Sequence, residues 1–475
     1  MTCTSTRARP LSRGLSRSWE ARRTRSRGRK LGFGLFGVVG AVLVMAGPAA
    51  AQELEFMPAG DIEALLASLW LIVAGCLVFL MQAGFALVEA GLTRAKNIGN
   101  IMAKNLADMA IGALAFWAVG FGFAFGSDSG SLIGTDNFFL SGMSDEFLGG
   151  GDVLATPSFF FFQVVFAATA VTIASGAMAE RTRFPAYLAF SAVMTGFIYP
   201  VVVHSFWHGD GILSDLSIGD ARFSDFAGSS IVHSAGGWAA LMGAVFLGPR
   251  IGKYAPDGSP RAIPGHNIGF VVVGVFILWF GWFGFNAGSE LAVDGITAVA
   301  FINTQIAAAF AAITWLLIAW HYDEKPSFVE MLIGMIAGLA TITPAAGFVS
   351  PQSAMVIGVA AGVVCYFAVV LRKQKGLDDA LDVWGVHGVG GCLGIIMLGV
   401  LASTKINPAG ADGLMSGSSD FFMAEVGGLA LACAWAFIFT YGMLYAIDQV
   451  TPVRVDEGDE TGMDVTLHGE SAYTD

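Results

Sequence analysis

Two histidines stand out as candidates for chemistry because each lies inside an apolar stretch of the chain. His233 follows Asp225 by eight residues, and His387 follows Asp382 by five. Imidazole titrates near neutral pH, so a histidine in such surroundings can bind a metal ion or handle a proton. Zinc needs three or four protein ligands, and the one further candidate nearby is His204. The spacing therefore favours a pair of proton-handling side chains over a metal site.

Aromatic side chains form a second candidate set. Phe162 and Phe166 lie four residues apart, on one face of a helix, and Phe285 and Ser289 repeat that spacing. Trp207 lies near the end of another apolar stretch, which is also typical of the aromatic belt at a membrane surface. Because the chain contains 38 Phe, spacing alone does not distinguish these residues from ordinary core packing.

The composition indicates which kind of structure must position these residues. Of the 475 residues, 55% are hydrophobic and 13% are charged, and the mean hydropathy is +0.67. A soluble domain has about a quarter of its residues charged. This composition excludes a nucleic-acid-binding protein, a disordered chain and a disulfide scaffold. It indicates a protein that crosses a membrane several times.

Apolar runs long enough to cross a bilayer follow one another after residue 60. We predict an all-α membrane protein with eleven transmembrane helices, which places the two ends of the mature chain on opposite sides of the membrane. The predicted spans are 62–92, 99–126, 155–180, 185–207, 229–248, 266–288, 297–320, 327–345, 353–372, 384–402 and 420–447.

The first ten spans divide into two halves of five that must run in opposite directions. An Asp followed by a His at the fifth helix of each half is the pattern of an inverted 5+5 repeat, which would bring both histidines near the middle of the membrane. The eleventh helix follows the repeat. Thirteen of the fifteen lysines and arginines after residue 51 fall at the predicted inner ends, and two, Arg222 and Lys405, in outer loops. This asymmetry predicts an N-out, C-in orientation.

The first 51 residues have the anatomy of a secretory signal peptide. Arg7 to Lys30 form a basic region, Leu31–Ala46 an apolar region, and Ala49–Ala51 a small-residue cleavage site. We expect cleavage there, with an uncleaved first helix as the alternative. Residues 52–447 are predicted to form the membrane domain, and residues 448–475 a cytoplasmic tail.

Buried acidic residues and cysteines are the remaining groups with chemical potential. We expect the acids in the spans to be structural hydrogen-bond partners between helices; these are Glu89, Asp108, Glu330 and Glu425. The cysteines after the leader lie in apolar runs, where a thiol packs as a small apolar group. The sequence thus indicates neither a disulfide nor a metal site.

Several segments resemble the signature sequences of the ammonium transporter (Amt/Mep/Rh) family. They are Asp225–Arg250, Gly281–Ser289, Ala300–Thr304, Ala179–Phe184 and Asp382–Gly388. The resemblance covers roughly residues 60–475, with the segments in the family's order. It implies the ammonium-transporter fold, and we expect the protein in the cell (inner) membrane. It also implies a homotrimer with one pore per subunit, ammonium and methylammonium as cargo, no cofactor and no enzymatic activity.

The resemblance also implies roles for residues at the outer mouth of the pore. Trp207 and Ser289 match the residues that recruit the cation, through the indole face and a hydroxyl acceptor. Asp225 matches a buried carboxylate that supports this recruitment site. Phe166 and Phe285 match the stacked phenyl pair that closes the pore below it. Trp207 and Ser289 favour the Amt branch of the family over the Rhesus branch.

Deeper in the pore, His233 and His387 match the twin histidines that line the conduit. Asp382 is expected to be the symmetric counterpart of Asp225, and Phe162 and Trp282 are expected to support the site. The implied mechanism is recruitment of NH4+, deprotonation, and conduction of NH3, alone or with a separate proton, which would exclude K+ and Na+.

Regulation is implied only by the tail. It resembles the family's cytoplasmic regulatory tail, and Thr466 lies where plant members carry a phosphothreonine. The alternative is an acidic, solvated tail without that modification. A PII signalling protein is a further expected partner, at the basic inner loops. Two other functions stay open at this point, namely an ammonium sensor on the same fold and a membrane-embedded hydrolase that uses the histidines as bases.

Overall fold

The computed structural model describes residues 59–130, 132–141, 156–215 and 217–473. The predicted signal peptide at residues 1–51, with its cleavage site, lies outside these residues.

The first half of the membrane domain contains helices that run alternately across the bundle. They are α1 (Ala59–Leu92), α2 (Ile98–Ala115), α3 (Phe121–Phe125), α4 (Thr156–Ala177), α5 (Phe184–Val193), α6 (Tyr199–Trp207), α7 (Ile212–Asp215) and α8 (Ala235–Leu247). π-Helical turns join α2 to α3 at Phe116–Gly120 and α5 to α6 at Met194–Ile198, and a third precedes α8 at Ser229–Ser234. Two short antiparallel strands, β1 (Ser217–Ile218) and β2 (Ala221–Arg222), lie between α7 and that third turn.

The second half repeats this succession and adds a last membrane helix. Its helices are α9 (Ile268–Gly288), α10 (Gly295–Asp323), α11 (Phe328–Ile342), α12 (Pro351–Gln374), α13 (Val389–Leu401), α14 (Ser419–Asp448) and α15 (Glu457–Glu460). A π-helical turn at Trp384–Gly388 precedes α13, and another at Asp464–His468 lies in the tail.

The eleven predicted spans are confirmed as helical segments. Ten segments of the described chain are long and apolar enough to cross a membrane, and α11, with 15 residues, is a shorter apolar helix. The predicted span 185–207 corresponds to α5 and α6 at Phe184–Trp207, and the span 229–248 corresponds to Ser229–Leu247. The chain is therefore a multi-pass membrane protein.

Reciprocal glycines pack the first helix of one half against the first helix of the other. A Cβ atom on Gly84 of α1 would lie 3.0 Å from the carbonyl oxygen of Gly274 in α9, and a Cβ atom on Gly274 would lie 2.7 Å from the carbonyl oxygen of Gly84. Only glycine permits so close an approach of two helix backbones. The reciprocity is what a two-fold relation between the halves requires.

Residues 449–473 pack on one end of the bundle, which we call the tail side. Here a buried ion-pair cluster joins four interhelical connections. Glu180 contacts Arg94 at 2.6 Å and Arg250 at 2.6 Å, and Arg250 also pairs with Asp378 at 2.9 Å. Burial alone would raise the pKa of Asp378, but the hydrogen bonds and charge of Arg250 hold it below its ordinary value. The cluster therefore fixes the helix ends relative to one another.

One cation assigned to an inner end has a different environment. Lys104 lies inside α2, and no part of its side chain is exposed. Twelve of the thirteen lysines and arginines assigned to the tail side therefore remain in loops or at helix ends.

Candidate functional site

The two histidines meet in the interior of the bundle. His233 lies in the π-helical turn Ser229–Ser234 and His387 in the turn Trp384–Gly388, each directly before a membrane helix. Their Nδ1 atoms are 3.4 Å apart, so one imidazole donates a weak hydrogen bond to the other. The structure thus brings together the pair that the inverted repeat predicted. π-Helical turns occur often at functional sites.

Close packing of two glycines lets these turns approach each other. Gly237 and Gly391 each lie four residues after one of the histidines. A Cβ atom on Gly237 would lie 2.2 Å from the backbone nitrogen of Gly388, and one on Gly391 would lie 2.6 Å from the Oγ atom of Ser234. In each half, the glycine thus meets the residue directly after the histidine of the other half.

A buried carboxylate organises the turn that carries His233. Asp225 accepts hydrogen bonds through Oδ1 from the backbone nitrogens of Gly228 and Ser229, at 2.8 and 2.9 Å. Its Oδ2 atom accepts from the backbone nitrogen of Ser230 at 2.8 Å and from that residue's hydroxyl at 2.5 Å. Three of these four bonds satisfy free N–H groups of the first turn, and the fourth holds the hydroxyl of Ser230. The Asp225 side chain is therefore used for positioning and does not face the vestibule as a free charge.

Asp379 has the corresponding role in the second half. It lies eight residues before His387, the same separation as that between Asp225 and His233. Its Oδ2 atom accepts a hydrogen bond from the backbone nitrogen of Trp384 at 2.8 Å, at the start of the π-helical turn. The sequence pattern contained this equal spacing, which could have identified the residue.

The expectation that Asp382 is the symmetric counterpart is therefore wrong. Asp382 has a positive φ of 60°, and its carboxylate pairs with Arg372 and, at 3.5 Å, with Lys373. The two cations at the end of α12 attract it away from the turn. Asp382 supports the tail-side end of α12 rather than the histidine.

The two histidines lie in a column of aromatic side chains, which we call the histidine column. Stacked phenylalanine rings close this column on one side of the histidines. The rings of Phe166 and Phe285 stack with centroids 4.0 Å apart at an interplanar angle of 21°, and both are fully buried. Phe162 contacts Phe166 at 4.6 Å. The imidazole of His233 follows directly, 5.4 Å from Phe285. The pair predicted to close the pore thus lies immediately beside the histidines.

Trp282 forms a wall of the column. Its ring stacks on His233 at a centroid distance of 5.0 Å and lies nearly parallel to His387 at 6.4 Å. The indole nitrogen donates a hydrogen bond to the hydroxyl of Thr343 at 2.9 Å. Because its donor is satisfied, Trp282 offers the column an apolar face, which agrees with the supporting role expected of it.

Beyond the stacked phenylalanines, a cavity of about 310 Å³ opens at the end of the bundle opposite the tail. We call this cavity the vestibule. Trp207 and Ser289 both line it, and Trp207 Nε1 donates to the carbonyl oxygen of Asp225 at 2.9 Å. The hydroxyl of Ser289 donates to the carbonyl oxygen of Phe285 at 2.9 Å, so its lone pairs remain free to accept. The ring of Trp207 lies 6.2 Å from that of Phe166, directly above the closed stack.

Two further vestibule residues were missed by the sequence analysis. Gln163 is almost fully buried, and its Oε1 atom has no hydrogen-bond partner among the described residues. Glu290 follows Ser289 directly, and burial together with the nearby Asp294 raises the pKa of its carboxyl to about 7. An amide between two pore phenylalanines was the available signal for Gln163, whereas Glu290 looked like any acidic loop residue.

His204 does not join the histidine pair. Its Nε2 atom contacts Asp128 at 3.1 Å, and its Nδ1 atom contacts the carbonyl oxygen of Ala124 at 3.1 Å. Over the described ranges, no group of three His, Cys, Asp or Glu side chains is arranged to hold a metal ion. The geometry therefore gives the two pore histidines no third ligand.

The tail contacts the start of α2. Both carboxylate oxygens of Asp464 accept hydrogen bonds at 2.8 Å, from the backbone nitrogens of Gly99 and Asn100. Thr466 lies two residues further along the chain and is exposed, and its hydroxyl donates to the carbonyl oxygen of Gly462 at 3.1 Å. The predicted regulatory residue is thus accessible and adjacent to the contact that anchors the tail.

Comparison with known proteins agrees with this geometry. Residues 69–473 match the sequence model of the Ammonium Transporter Family. Ammonium transporter Amt2 of Archaeoglobus fulgidus is 40% identical over 415 residues, covering 85% of this chain and 87% of its own. An ammonium transporter of Bacillus subtilis is 41% identical over 326 residues, covering 68% and 78%.

Solved structures show the same relationship. A structure titled "Sensor Amt Protein" has a TM-score of 0.79 at 36% identity and covers 86% of this chain and 99% of its own. Mep2 of Candida albicans has a TM-score of 0.75 at 30% identity and covers 83% and 87%. The relatives are transporters rather than enzymes, which argues against a hydrolase. The chain therefore belongs to the ammonium transporter family, whose members move ammonium across a membrane.

Proposed function

We propose that the chain recruits NH4+ in the vestibule, removes a proton there, and conducts NH3 along the histidine column into the cell. The observation that carries this proposal is the 3.4 Å contact between His233 and His387 inside an apolar column closed by Phe166 and Phe285. A polar pair in such a column has no structural need to be there. The histidine pair would instead bind a cargo that forms hydrogen bonds but carries no charge.

Recruitment depends on two groups that favour a small cation with N–H donors. The indole of Trp207 attracts a cation to its face, which contributes about 0.5–2 kcal/mol. Ser289 uses its own proton on Phe285 and can accept from ammonium with its lone pairs. K+ can use the indole but donates no hydrogen bond, so the two groups together favour NH4+.

Deprotonation explains selectivity against alkali ions. Moving an intact cation past Phe166 and Phe285 would remove its hydration without replacing it, at a cost of several kcal/mol or more. NH4+ avoids that cost by releasing a proton, whereas K+ and Na+ cannot. The closed phenyl stack is therefore a barrier to ions and needs to open only for a neutral molecule.

The histidine pair offers ammonia one donor and one acceptor. When one Nδ1–H donates to the other Nδ1, one imidazole is left with a bare Nε2 and the other with an Nε2–H. The Nε2 atom of His233 has no partner in the described part of the chain. Ammonia, which both donates and accepts, can bind to such a pair and move past it.

The distribution of charge supports an orientation with the vestibule outside. Twelve lysines and arginines lie in loops or at helix ends on the tail side, against Arg222 and Lys405 on the vestibule side. The positive-inside rule then places the tail in the cytoplasm. The proposal includes a cleaved leader at residues 1–51, which puts the mature N-terminus outside, and a location in the cell (inner) membrane.

Assembly and regulation stay predictions of the family resemblance. They comprise a homotrimer with one pore per subunit, a PII protein bound at the basic tail-side loops, and a regulatory tail at 448–475 with Thr466 as a modification site. The position of Asp464 on the first turn of α2 supports a tail that acts on a membrane helix.

Uptake of labelled methylammonium tests the proposed function. We expect saturable uptake in cells that lack their own ammonium carriers, and loss of specific uptake in His387→Ala with unchanged amounts of protein in the membrane. Currents recorded with NH4+ and K+ on the purified protein test selectivity. Flat uptake by the unmodified protein, or equal currents with both cations, would contradict the proposal.

A sensor is the second candidate, because a structural relative carries that word in its title. A sensor that does not conduct would bind methylammonium with saturation in purified form and give no uptake into liposomes. Saturable uptake by the purified protein therefore separates transport from sensing alone.

A further inference from the structure

A buried acid lies beside the pore on the tail side of the histidines. Glu89 of α1 and His387 both line a cavity of about 50 Å³, whose other walls are mostly apolar. The Glu89 side chain is almost completely buried, and its Oε2 atom accepts a hydrogen bond from Ser175 at 3.0 Å. Its Oε1 atom has no hydrogen-bond partner within the described ranges. A buried acid that lines the cavity thus keeps one carboxylate oxygen that meets no hydrogen-bond criterion.

A second carboxylate lies in the same cluster but is fully engaged. Asp108 of α2 accepts hydrogen bonds from the hydroxyls of Tyr187, at 2.7 Å, and Ser191. The hydroxyl of Thr172, which also lines the cavity, lies 3.2 Å from Asp108 and 2.8 Å from the Oε1 atom of Gln82. A chain of hydroxyls and carboxylates therefore extends from the cavity wall into the space between α1, α2, α4 and α5.

The one cation of this cluster is Lys104. It lies one helical turn before Asp108, and its ammonium nitrogen is 5.0 Å from the ring centroid of Tyr187. That nitrogen has no hydrogen-bond partner in the part of the chain that the structure describes. Its charge acts on both Glu89 and Asp108. An unpaired lysine inside a membrane helix is costly and is usually retained for function.

The charges of the cluster balance only when it holds one extra proton. Glu89 and Asp108 together contribute two negative charges, and Lys104 contributes one positive charge. The next charges belong to the tail-side ion-pair cluster and balance among themselves, because the carboxylates of Glu180, Asp378 and Asp379 face an equal number of arginines, Arg94, Arg181 and Arg250. A net charge inside a membrane is unfavourable by several kcal/mol. The neutral cluster is therefore a store for a single proton, and Glu89, which lines the cavity together with His387, connects it to the pore.

We propose that Glu89, supported by Lys104 and Asp108, exchanges protons with the cargo in the inner half of the pore. Protonated Glu89 gives its proton to the ammonia that has passed His387, so an O–H bond breaks, an N–H bond forms, and NH4+ leaves on the tail side. The carboxylate is then reprotonated by the proton that the outer ammonium released and the histidines relayed. Each cycle thus moves one ammonia molecule and one positive charge. This proposal rests on the proposed function and adds the path of the proton.

The test compares charge with molecules in one preparation. The purified full-length protein in liposomes receives a methylammonium jump; labelled methylammonium counts the molecules, and current on a supported membrane counts the charges. We expect about one charge per molecule for the unmodified protein and for Glu89→Asp, and at least tenfold less charge per molecule for Glu89→Gln. Lys104→Met should lower the ratio in the same way, because the two carboxylates then both keep their protons.

Glu425→Gln is the matched control. Glu425 is also a buried acid in a membrane helix, with one oxygen that accepts from the backbone nitrogen of Ser224 at 2.7 Å and one that lacks a partner among the described residues. A general effect of a buried amide would lower uptake and current together and leave their ratio unchanged, as we expect here. If Glu89→Gln does not fold, Lys104→Met provides the same comparison.

The outcomes separate the two proposals. Absence of uptake by the unmodified protein would contradict the proposed function itself. Uptake without current in the unmodified protein would leave ammonium transport in place and overturn the role of Glu89. An unchanged ratio of charge to molecules in Glu89→Gln, or in Lys104→Met where Glu89→Gln is not recovered, would overturn it as well.

Discussion

Replacing Gly237 with alanine should separate the two histidines without touching either of them. Gly237 lies in α8, one turn after His233, and its Cα faces the backbone of Gly388. A Cβ atom there would lie 2.2 Å from a backbone nitrogen and 2.4 Å from the Cα atom of Gly388. Neither atom belongs to a flexible side chain, so the two backbone segments must move apart.

The size of the movement follows from these distances. Restoring ordinary van der Waals contact, 3.4 Å, requires the two segments to separate by about 1.2 Å. The Nδ1 atoms of His233 and His387 are already 3.4 Å apart. If the segments separate by about 1.2 Å along the direction that joins the two Nδ1 atoms, the Nδ1–Nδ1 distance becomes about 4.6 Å. That distance is well outside hydrogen-bond range. Overpacking of this kind costs about 1–3 kcal/mol of stability, which a large membrane domain can tolerate.

The assay measures folding and transport separately. Thermal unfolding in detergent should show a modest loss for Gly237→Ala, while uptake of labelled methylammonium should fall at least tenfold. Gly391→Ala should behave in the same way, because its Cβ atom would meet Ser234 from the other half. Gly427→Ala in α14 is the matched control, since its Cβ atom would meet nothing within 4 Å in the described structure.

A folded Gly237→Ala protein with uptake within twofold of the unmodified protein would refute this reasoning. It would mean either that the turns can separate without parting the imidazoles, or that conduction does not need their hydrogen bond. A crystal structure of the variant would distinguish these two explanations by the Nδ1–Nδ1 distance.

Three further predictions concern the vestibule and the tail side. Ser289→Ala should raise the KM for methylammonium at least tenfold with little change in maximal rate, because a hydrogen bond to a charged group contributes about 1.5–3 kcal/mol. Initial uptake rates check it. Glu290, whose pKa burial raises to about 7, attracts the cation only when ionised, so apparent affinity should fall from pH 8 to pH 6, and Glu290→Gln should remove that dependence. Arg250→Met should leave Glu180 and Asp378 without the arginine that they share. Because an unpaired buried charge costs about 3–5 kcal/mol, the melting temperature should fall strongly, which thermal unfolding at neutral pH measures.

The sequence was sufficient for the number of spans and for the meeting of the histidines. Apolar runs of about 20 residues have few other interpretations, because a lipid environment leaves little choice of backbone structure. An Asp and a His at the fifth helix of both halves indicated the convergence of His233 and His387. These inferences depend on period and symmetry, which one sequence contains.

The equal eight-residue spacing favours Asp379, but spacing alone does not show which of the two carboxylates bonds to the turn. Asp379 and Asp382 both precede His387, and which of them caps the turn depends on the loop backbone and on the cations at Arg372 and Lys373. The π-helical turns were equally invisible, because one extra residue in a turn leaves no periodic signal. Lys104 was assigned to an inner end with the other cations of the positive-inside count, and its burial shows only in the packing.

The two turns that carry the histidines are built from the same three parts in each half. A helix that begins inside the bundle leaves its first N–H groups without intrahelical partners. Asp225 and Asp379 supply acceptors for these groups, and the widened turns let Gly237 and Gly391 contact the facing half. Carboxylate, π-helical turn and glycine are thus one device, used twice. Changing any one member should displace the imidazole of its own half, whereas a change to a lipid-facing residue of the same helix should not.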